Sequence, residues 1–350
     1  MKINNNIYTD INIFKNEFNL FFGEDWIWSG KTLNELEENN YIVCNLAYNI
    51  EVILIKTKND IKAYLNICPH KNTKLLKHNN EQKLLCQYHK WEFDESGICI
   101  SAPNCENEIK LSNIKLQKIQ VQLFNDFIFL NFQNHSEEHF KSWISQYIVD
   151  YPKNKLHLFH KKEYIINSNW KLLVENEMDN YHAKSNHPLL HSITNSDIEY
   201  GSDETIIKGG KYQELFYLDN SIKSISSNHK RIDNKDNNLQ NVEVQYFIIF
   251  PNFSGVYLED YTYITEIIPI GVDETLMKVY FYSHDDNINP MNVDSVLDVW
   301  EKTILEDKEL CYLHQIGNSN PFAKSKITIN SKDKLVKLFL LEYKQKMENI

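Results

Sequence analysis

The 350-residue chain is poor in glycine (9), proline (8) and cysteine (6), and each scarcity narrows what it can be. With so few glycines, and no G-x-G-x-x-G after a strand-like run, it carries no flavin or nicotinamide fingerprint. A redox role would therefore draw electrons from a separate protein. Six cysteines are too sparse for a disulfide scaffold, which fits a reducing compartment. Cys44, Cys99, Cys105 and Cys311 read as buried small apolar groups or spectators. Basic residues are outnumbered, 37 Lys and Arg against 48 Asp and Glu for a net charge of -11, and no basic run stands out. That excludes a phosphate-tracking surface, so nucleic acid is not an expected partner. No stretch reaches the roughly 20 apolar residues of a membrane helix. The opening MKINNNIYTDINIFKNEF also lacks the apolar core of a secretory signal. The expectation is a cytoplasmic protein with no membrane partner and no internal repeat.

What is present suits a large core. At 42% hydrophobic, the length supports two domains. Residues 10–40 place Ile13, Phe14, Phe18, Leu20 and Phe21 at roughly helical spacing, which predicts a helical N-terminal segment. From about residue 41 to 134, short β-branched and aromatic runs broken by turn residues predict strands and hairpins. SEEHFKSWISQYIVDYP then reads as a helix closing on a proline, a boundary near residue 150. Beyond it the pattern predicts a helix over about 169–185 and a polar surface loop over 219–241. Three strands between 242 and 284 and a long helix over about 291–316 follow. The expected division is 1–39, a helical segment packing with the C-terminal domain; 40–150, a β-rich domain; and 151–350, an α+β domain.

Two clusters carry chemistry. In CPHKNTKLLKHNNEQKLLCQYHKWEFD, Cys68 and His70 form one pair and Cys86 and His89 another, with fifteen residues between. Each pair can sit on its own hairpin tip, bringing two thiolates and two imidazoles to one point. A tetrahedral zinc and a two-iron cluster both accept that set. One Cys and one His per loop, on strands rather than beside a finger helix, favours the two-iron arrangement.

The second cluster lies in NWKLLVENEMDNYHAKSNHP. On a helix capped by Asn169, Glu175, Asp179 and His182 share a face, and Asp179 can orient the His182 ring. His187 would fall roughly 140° around a regular helix from His182, but Asn186 and Pro188 permit a helix end that swings it back. Two imidazoles and a carboxylate make the facial triad of non-haem iron(II). Val293, Val296, Leu297, Trp300, Ile304, Cys311 and His314 form a helical stripe with Asp307 in its middle. Glu306 and Glu309 lie about 100° and 200° off that stripe. A carboxylate on an apolar face wants a cation. His314 reads as a core histidine or a group behind the ligands.

The first cluster resembles the Rieske motif C-x-H followed by C-x-x-H, and YHKW resembles its usual Tyr-His-Gly-Trp. Residues 175–187 resemble the E-x3-D-x2-H-x4-H pattern of the oxygenase component of Rieske non-haem iron oxygenases, the aromatic ring-hydroxylating alpha subunits. ILEDKELCYLHQIG resembles that family's late acidic segment. The resemblance implies a Rieske 2Fe-2S cluster on Cys68, His70, Cys86 and His89. It also implies a mononuclear iron on His182, His187 and Asp307, with Asp179 bridging the sites across a homotrimer. It implies an α+β fold: a β-rich Rieske domain, an antiparallel sandwich with cluster-binding hairpins, followed by a helix-grip-like catalytic domain of antiparallel sheet and helices. The implied activity uses electrons from a separate reductase or ferredoxin, and dioxygen, to hydroxylate, dihydroxylate or oxidatively demethylate a small organic substrate. The alternative is a Rieske electron-transfer or sensing protein without oxygenase activity. The chain departs from the family's glycines and arginine at Lys71, Asn72 and Lys90. Pocket candidates lie in 212–218, 242–255 and 259–269, whose aromatics would suit an arene or a quaternary ammonium.

Overall fold

The computed structural model describes residues 4–37, 39, 41–58, 60–79, 81, 83–105, 110–147, 156–192, 213–218, 242–258, 260–323, 329–330 and 332–348, with backbone alone at 180, 213–218 and 242–244. The chain forms two compact units, residues 22–141, and residues 1–21 with 142–350. The expected polar loop at 219–241 lies outside the described residues.

Residues 22–141 build a six-stranded antiparallel sheet in the order Ile27–Thr32, Phe127–Asn131, Lys118–Phe124, Ile61–Leu65, Glu51–Lys56, Tyr41–Asn45. Val52, Ile53, Leu54 and Ile55 are all buried, so Glu51–Lys56 is covered on both faces, as its unbroken apolar run requires. Two small hairpin sheets follow, Ile67–Cys68 with Thr73–Lys74, and Leu84–Leu85 with Glu92–Phe93 and Cys99–Ser101. They close over a core of Tyr41, Ile53, Ile55, Tyr64, Leu75, Leu76, Leu84 and Phe93. Each buried aliphatic or aromatic side chain contributes about 1.5–3 kcal/mol.

The helical segment expected over 10–40 is broken at Gly23, after the helix Ile11–Glu17 and a wider turn Phe18–Gly23, and resumes only in the short helix Leu33–Glu37. Ile27–Thr32 is instead a strand paired with Phe127–Asn131. The helical spacing is carried by residues 13–21 and does not extend to this stretch, whose conformation cross-strand pairing decides.

In the other unit a six-stranded antiparallel sheet runs in the order His157–Ile166, Glu274–Ser283, Tyr261–Gly271, Phe253–Tyr257, Val242–Ile249, Gln213–Leu218. Four strands fall between 242 and 283 where three were expected, and His157–Ile166 was not foreseen. A long helix, Pro290–Ser319, packs on this sheet. Asn289 caps it, Pro290 opens it, and Val296, Trp300, Thr303, Ile304, Cys311 and Gln315 form its buried stripe. Trp300 Nε1 donates to the Tyr261 hydroxyl at 2.9 Å, and its ring stacks on Tyr263 at 5.0 Å.

The helix Trp170–Met178 leads into the second cluster, and its start is held from three sides. Asn169 Oδ1 accepts from Lys171 N at 3.1 Å, Asn169 Nδ2 donates to Val272 O at 2.6 Å, and Asn169 N donates to Gln315 Oε1 at 2.9 Å. In the first turn, Lys171 Nζ meets Glu17 Oε1 at 2.7 Å with both side chains at 0% exposure. Trp170 Nε1 and the Tyr343 hydroxyl donate to the same Glu17 carboxylate. The rings of Tyr8, Trp170 and Tyr343 lie 5.8, 5.2 and 5.5 Å from the ammonium. Removing one partner of such a pair leaves a buried, uncompensated charge. Glu17→Ala is expected to cost about 3–5 kcal/mol, measured as a lower denaturant midpoint; a loss below about 1 kcal/mol would mean the pair is not structural.

Candidate metal centres

The Cys/His hairpins repeat one geometry. Asn72 N donates to Cys68 O at 2.9 Å, and Lys90 N donates to Cys86 O, also at 2.9 Å. Both loops close with a residue in the left-handed region, Asn72 at φ 52 and Lys90 at φ 61. These are two of the positions where the family carries glycine, and the positive φ explains why. Asparagine tolerates that conformation, whereas lysine meets it with a Cβ clash.

Cys68 and Cys86 are buried, while His70 is exposed and His89 half-exposed. The two imidazole centroids lie 4.6 Å apart, and His70 stacks on Trp91 at 4.4 Å and 3°. Burial, with Cys86 alongside, pushes the Cys68 thiol up to about 11. A thiolate there needs a cation. The His70 backbone N–H also donates to the Cys68 sulfur, a contact that tunes a cluster's potential. Two soft donors inside and two imidazoles outside fit a two-iron cluster with unlike irons. Cys44, Cys99 and Cys311 are buried and Cys105 is half-buried, as expected of spectators.

In the other unit the helix does not run on to 185. It stops at Met178, Asp179 leaves helical geometry at φ -97 and ψ 87, and short turns follow at Asn180–His182 and Ala183–Asn186. His187, at φ -116 and ψ 71, breaks the chain again before Pro188–Ser192. These breaks turn both imidazoles inward. His182 Nε2, His187 Nε2 and Asp307 Oδ1 stand at the corners of a triangle whose three edges are each 3.1 Å. Neighbouring ligands of an octahedral ion with bonds of roughly 2.1–2.2 Å are separated by about that bond times √2, close to 3 Å. Among the described residues this is the one His/Cys/Asp/Glu group that converges as a metal site. The donor set and its edges fit a three-ligand ion with open positions.

Carboxylates sit behind both imidazoles. Glu306 Oε2 accepts from His187 Nδ1 at 2.8 Å, and Asp179 Oδ2 lies 3.6 Å from His182 Nδ1. Such partners fix which ring nitrogen is free to bind a metal. Asn176 Nδ2 donates to Asp307 Oδ1 at 3.1 Å. Burial opposes a proton on His182, yet Asp179 and Asp307 outweigh it and push its pKa up to about 9. Burial opposes ionisation of Asp307 too, but the imidazoles overcome it and hold the carboxyl below its usual range. Without an ion, protons supply the positive charge the acids demand; an entering metal displaces them.

Glu306 was placed off the helical stripe by spacing, and Asn176 was not singled out. A carboxylate flanking Asp307 was the available signal. Glu175 turns away from the triangle, accepting from the Tyr8 hydroxyl at 2.7 Å. His314 is exposed; the neighbouring Gln315 takes the buried position and binds Asn169 N and Tyr8 O. A cavity of about 100 Å3 opens on the triangle. Tyr246, Ser254, Tyr263 and Thr265 line it, from the two pocket segments beyond residue 241 expected to do so, and Val256 joins them from just outside those segments. The side chains of 213–218 lie outside the described residues.

The profile of the ring hydroxylating alpha subunit catalytic domain matches residues 154–349, and that of the Rieske [2Fe-2S] domain matches residues 28–122. The chain belongs to the ring-hydroxylating alpha-subunit family. It is an oxidoreductase, the oxygenase component of a Rieske system, and its cofactors are a Rieske 2Fe-2S cluster and a mononuclear non-haem iron. A match across the catalytic domain sets aside the reading as a sensor or simple electron carrier. This alpha subunit is 20% identical over 348 residues to the glycine betaine monooxygenase oxygenase subunit of Chromohalobacter salexigens, covering 89% of this chain and 78% of that one. It is 27% identical over 190 residues to the carnitine monooxygenase oxygenase subunit of Escherichia coli, covering 52% of this chain and 50% of that one. A solved quaternary ammonium Rieske monooxygenase with an inhibitor bound superposes with TM-score 0.78 at 19% identity, over 98% of this chain and 94% of the other. Naphthalene 1,2-dioxygenase from Rhodococcus sp. gives 0.70 at 16%, over 93% and 84%. At these identities the structural likeness speaks for the fold. Among the described residues no helix is long and apolar enough to cross a membrane.

Relieving the left-handed strain gives a direct test of the cluster loop. Lys90→Gly is expected to stabilise the protein by about 0.5–1 kcal/mol. That is roughly 1–4 °C in the temperature at which the cluster's visible absorption is lost. A fall in that temperature would show that the lysine side chain itself holds the loop.

Proposed function

We propose that Cys68, His70, Cys86 and His89 hold the 2Fe-2S cluster, and that His182, His187 and Asp307 hold the catalytic iron. The observation that carries the second assignment is the triangle of 3.1 Å edges opening on a cavity. We take residues 22–141 as the cluster domain and the rest as the catalytic domain. This shifts the expected boundaries at 39/40 and 150/151 toward the N-terminus.

When bound, the iron and the cluster supply dioxygen activation and single-electron delivery. The chain's own residues do the rest. Glu306 holds a proton on His187 Nδ1 and so keeps Nε2 free to bind; Asp179 does the same for His182 through its Nδ1 edge. Asn176 steadies the Asp307 oxygen that faces the ion. Tyr263, Trp300 and Met277 wall the cavity and keep bulk water away from the open positions.

Asp179 is the residue we assign to the bridge between centres. It approaches His182 at 3.6 Å and is about a third exposed. With His182 it lines a second cavity of about 320 Å3. The ring of three subunits, with a neighbouring subunit's cluster histidine reaching Asp179 from that side, is proposed from the resemblance to the family. Electrons are proposed to come from a separate reductase or ferredoxin, in the cytoplasm. Oxidation beside an ammonium nitrogen, with loss of a methyl or side group, is favoured over attack on an aromatic ring by the relatives named for glycine betaine and carnitine.

Asp179→Asn is expected to retain the cluster and one further iron per chain while nearly abolishing substrate-coupled dioxygen uptake. The checks are metal analysis, the visible spectrum and oxygen consumption with reductant. Normal coupled uptake in that variant would exclude the bridging role.

A further inference from the structure

The cavity beside the triangle contains a carboxylate that the ligand and bridging roles leave unused. Glu177 follows Asn176 on the helix Trp170–Met178, on the side opposite Glu175, and lines the same cavity as the triangle. Ser254 Oγ donates to Glu177 Oε2, and Thr265 and Tyr246 line the same cavity. No lysine or arginine lies among the described residues lining the cavity. Burial pushes its pKa up to about 7, the mark of a carboxylate short of countercharge. A buried charge is costly unless a cation joins it. The wall also includes Tyr246, Tyr263 and Trp300, with Val256 and Met277. Aromatic faces and methyl-sized apolar groups are what a substituted ammonium packs against.

We propose that Glu177 anchors the ammonium head of a cationic amine substrate, so that the pocket selects net cations over neutral isosteres and over zwitterions with their own carboxylate. A second carboxylate entering beside Glu177 and Asp307 would meet like charge at short range in a poorly solvated cavity. That separates this chain's preference from that of the relatives named for glycine betaine and carnitine. The inference rests on the cavity being the oxygenase's substrate pocket.

The test is anaerobic calorimetry on the cluster- and iron-loaded protein with choline, its neutral isostere 3,3-dimethylbutan-1-ol, and glycine betaine. Choline is expected to bind at least about tenfold more tightly than either of the others. Glu177→Gln should lower choline affinity by at least about tenfold, leave the neutral alcohol unchanged, and retain its iron. Four results would overturn the assignment: no binding of choline, equal binding of choline and the alcohol, unchanged discrimination in Glu177→Gln, or loss of iron in that variant with choline preference intact. The loaded protein's red-brown spectrum and one further iron per chain report the oxygenase reading separately, so either conclusion can fail without the other's failure being mistaken for it.

Discussion

The buried pair between Lys171 and Glu17 is the contact on which the catalytic unit depends. It joins the helix Ile11–Glu17 to the first turn of the helix that leads into the metal site, and Tyr343 brings the C-terminal helix Lys334–Glu348 to the same carboxylate. Two ions this deep are costly to desolvate, and the arrangement persists because the carboxylate is satisfied by an ammonium, an indole N–H and a phenol at once. With Asn169 tied to Val272 and Gln315, the start of Trp170–Met178 cannot rotate. Its far end therefore presents Asn176 and Glu177 to the cavity at a set angle.

That helix has two acidic faces with different work. Glu175 faces Tyr8 and the N-terminal segment; Glu177 faces the sheet hydroxyls and the cavity. Beyond Met178 the backbone gives up helical geometry twice, at Asp179 and His187. Those two breaks, rather than helical spacing, bring the imidazoles to Asp307. Around them lie Asp179, Glu177, Glu306 and Asp307, an excess of negative charge that protons or a metal must balance.

Much of this was legible in the sequence because ligand sets are local. Cys68, His70, Cys86 and His89 announce themselves by spacing, and Asp307 by its place in an apolar stripe. Asn72 and Lys90 stood out as missing glycines, and their positive φ supplies the reason. What escaped depends on partners distant in the chain. Glu306 lies off the stripe, yet His187 reaches it because the chain breaks before Pro188. Glu177 looks like a solvated helix residue until Ser254 and Tyr263 close over it. Ile27–Thr32 follows a stretch with helical spacing, but its neighbour is Phe127–Asn131, about a hundred residues on, and that distant pairing sets its conformation.

The central claim is that three side chains hold one iron facing the cavity. An anaerobic crystal structure of the iron(II)-loaded protein, with anomalous data at the iron edge, tests it most directly. The account predicts a single iron peak over the triangle, roughly 2.1–2.2 Å from His182 Nε2, His187 Nε2 and an Asp307 oxygen, with its remaining positions open to the cavity. An empty triangle, or an iron held by Glu177 or Glu306 in place of Asp307, would contradict it.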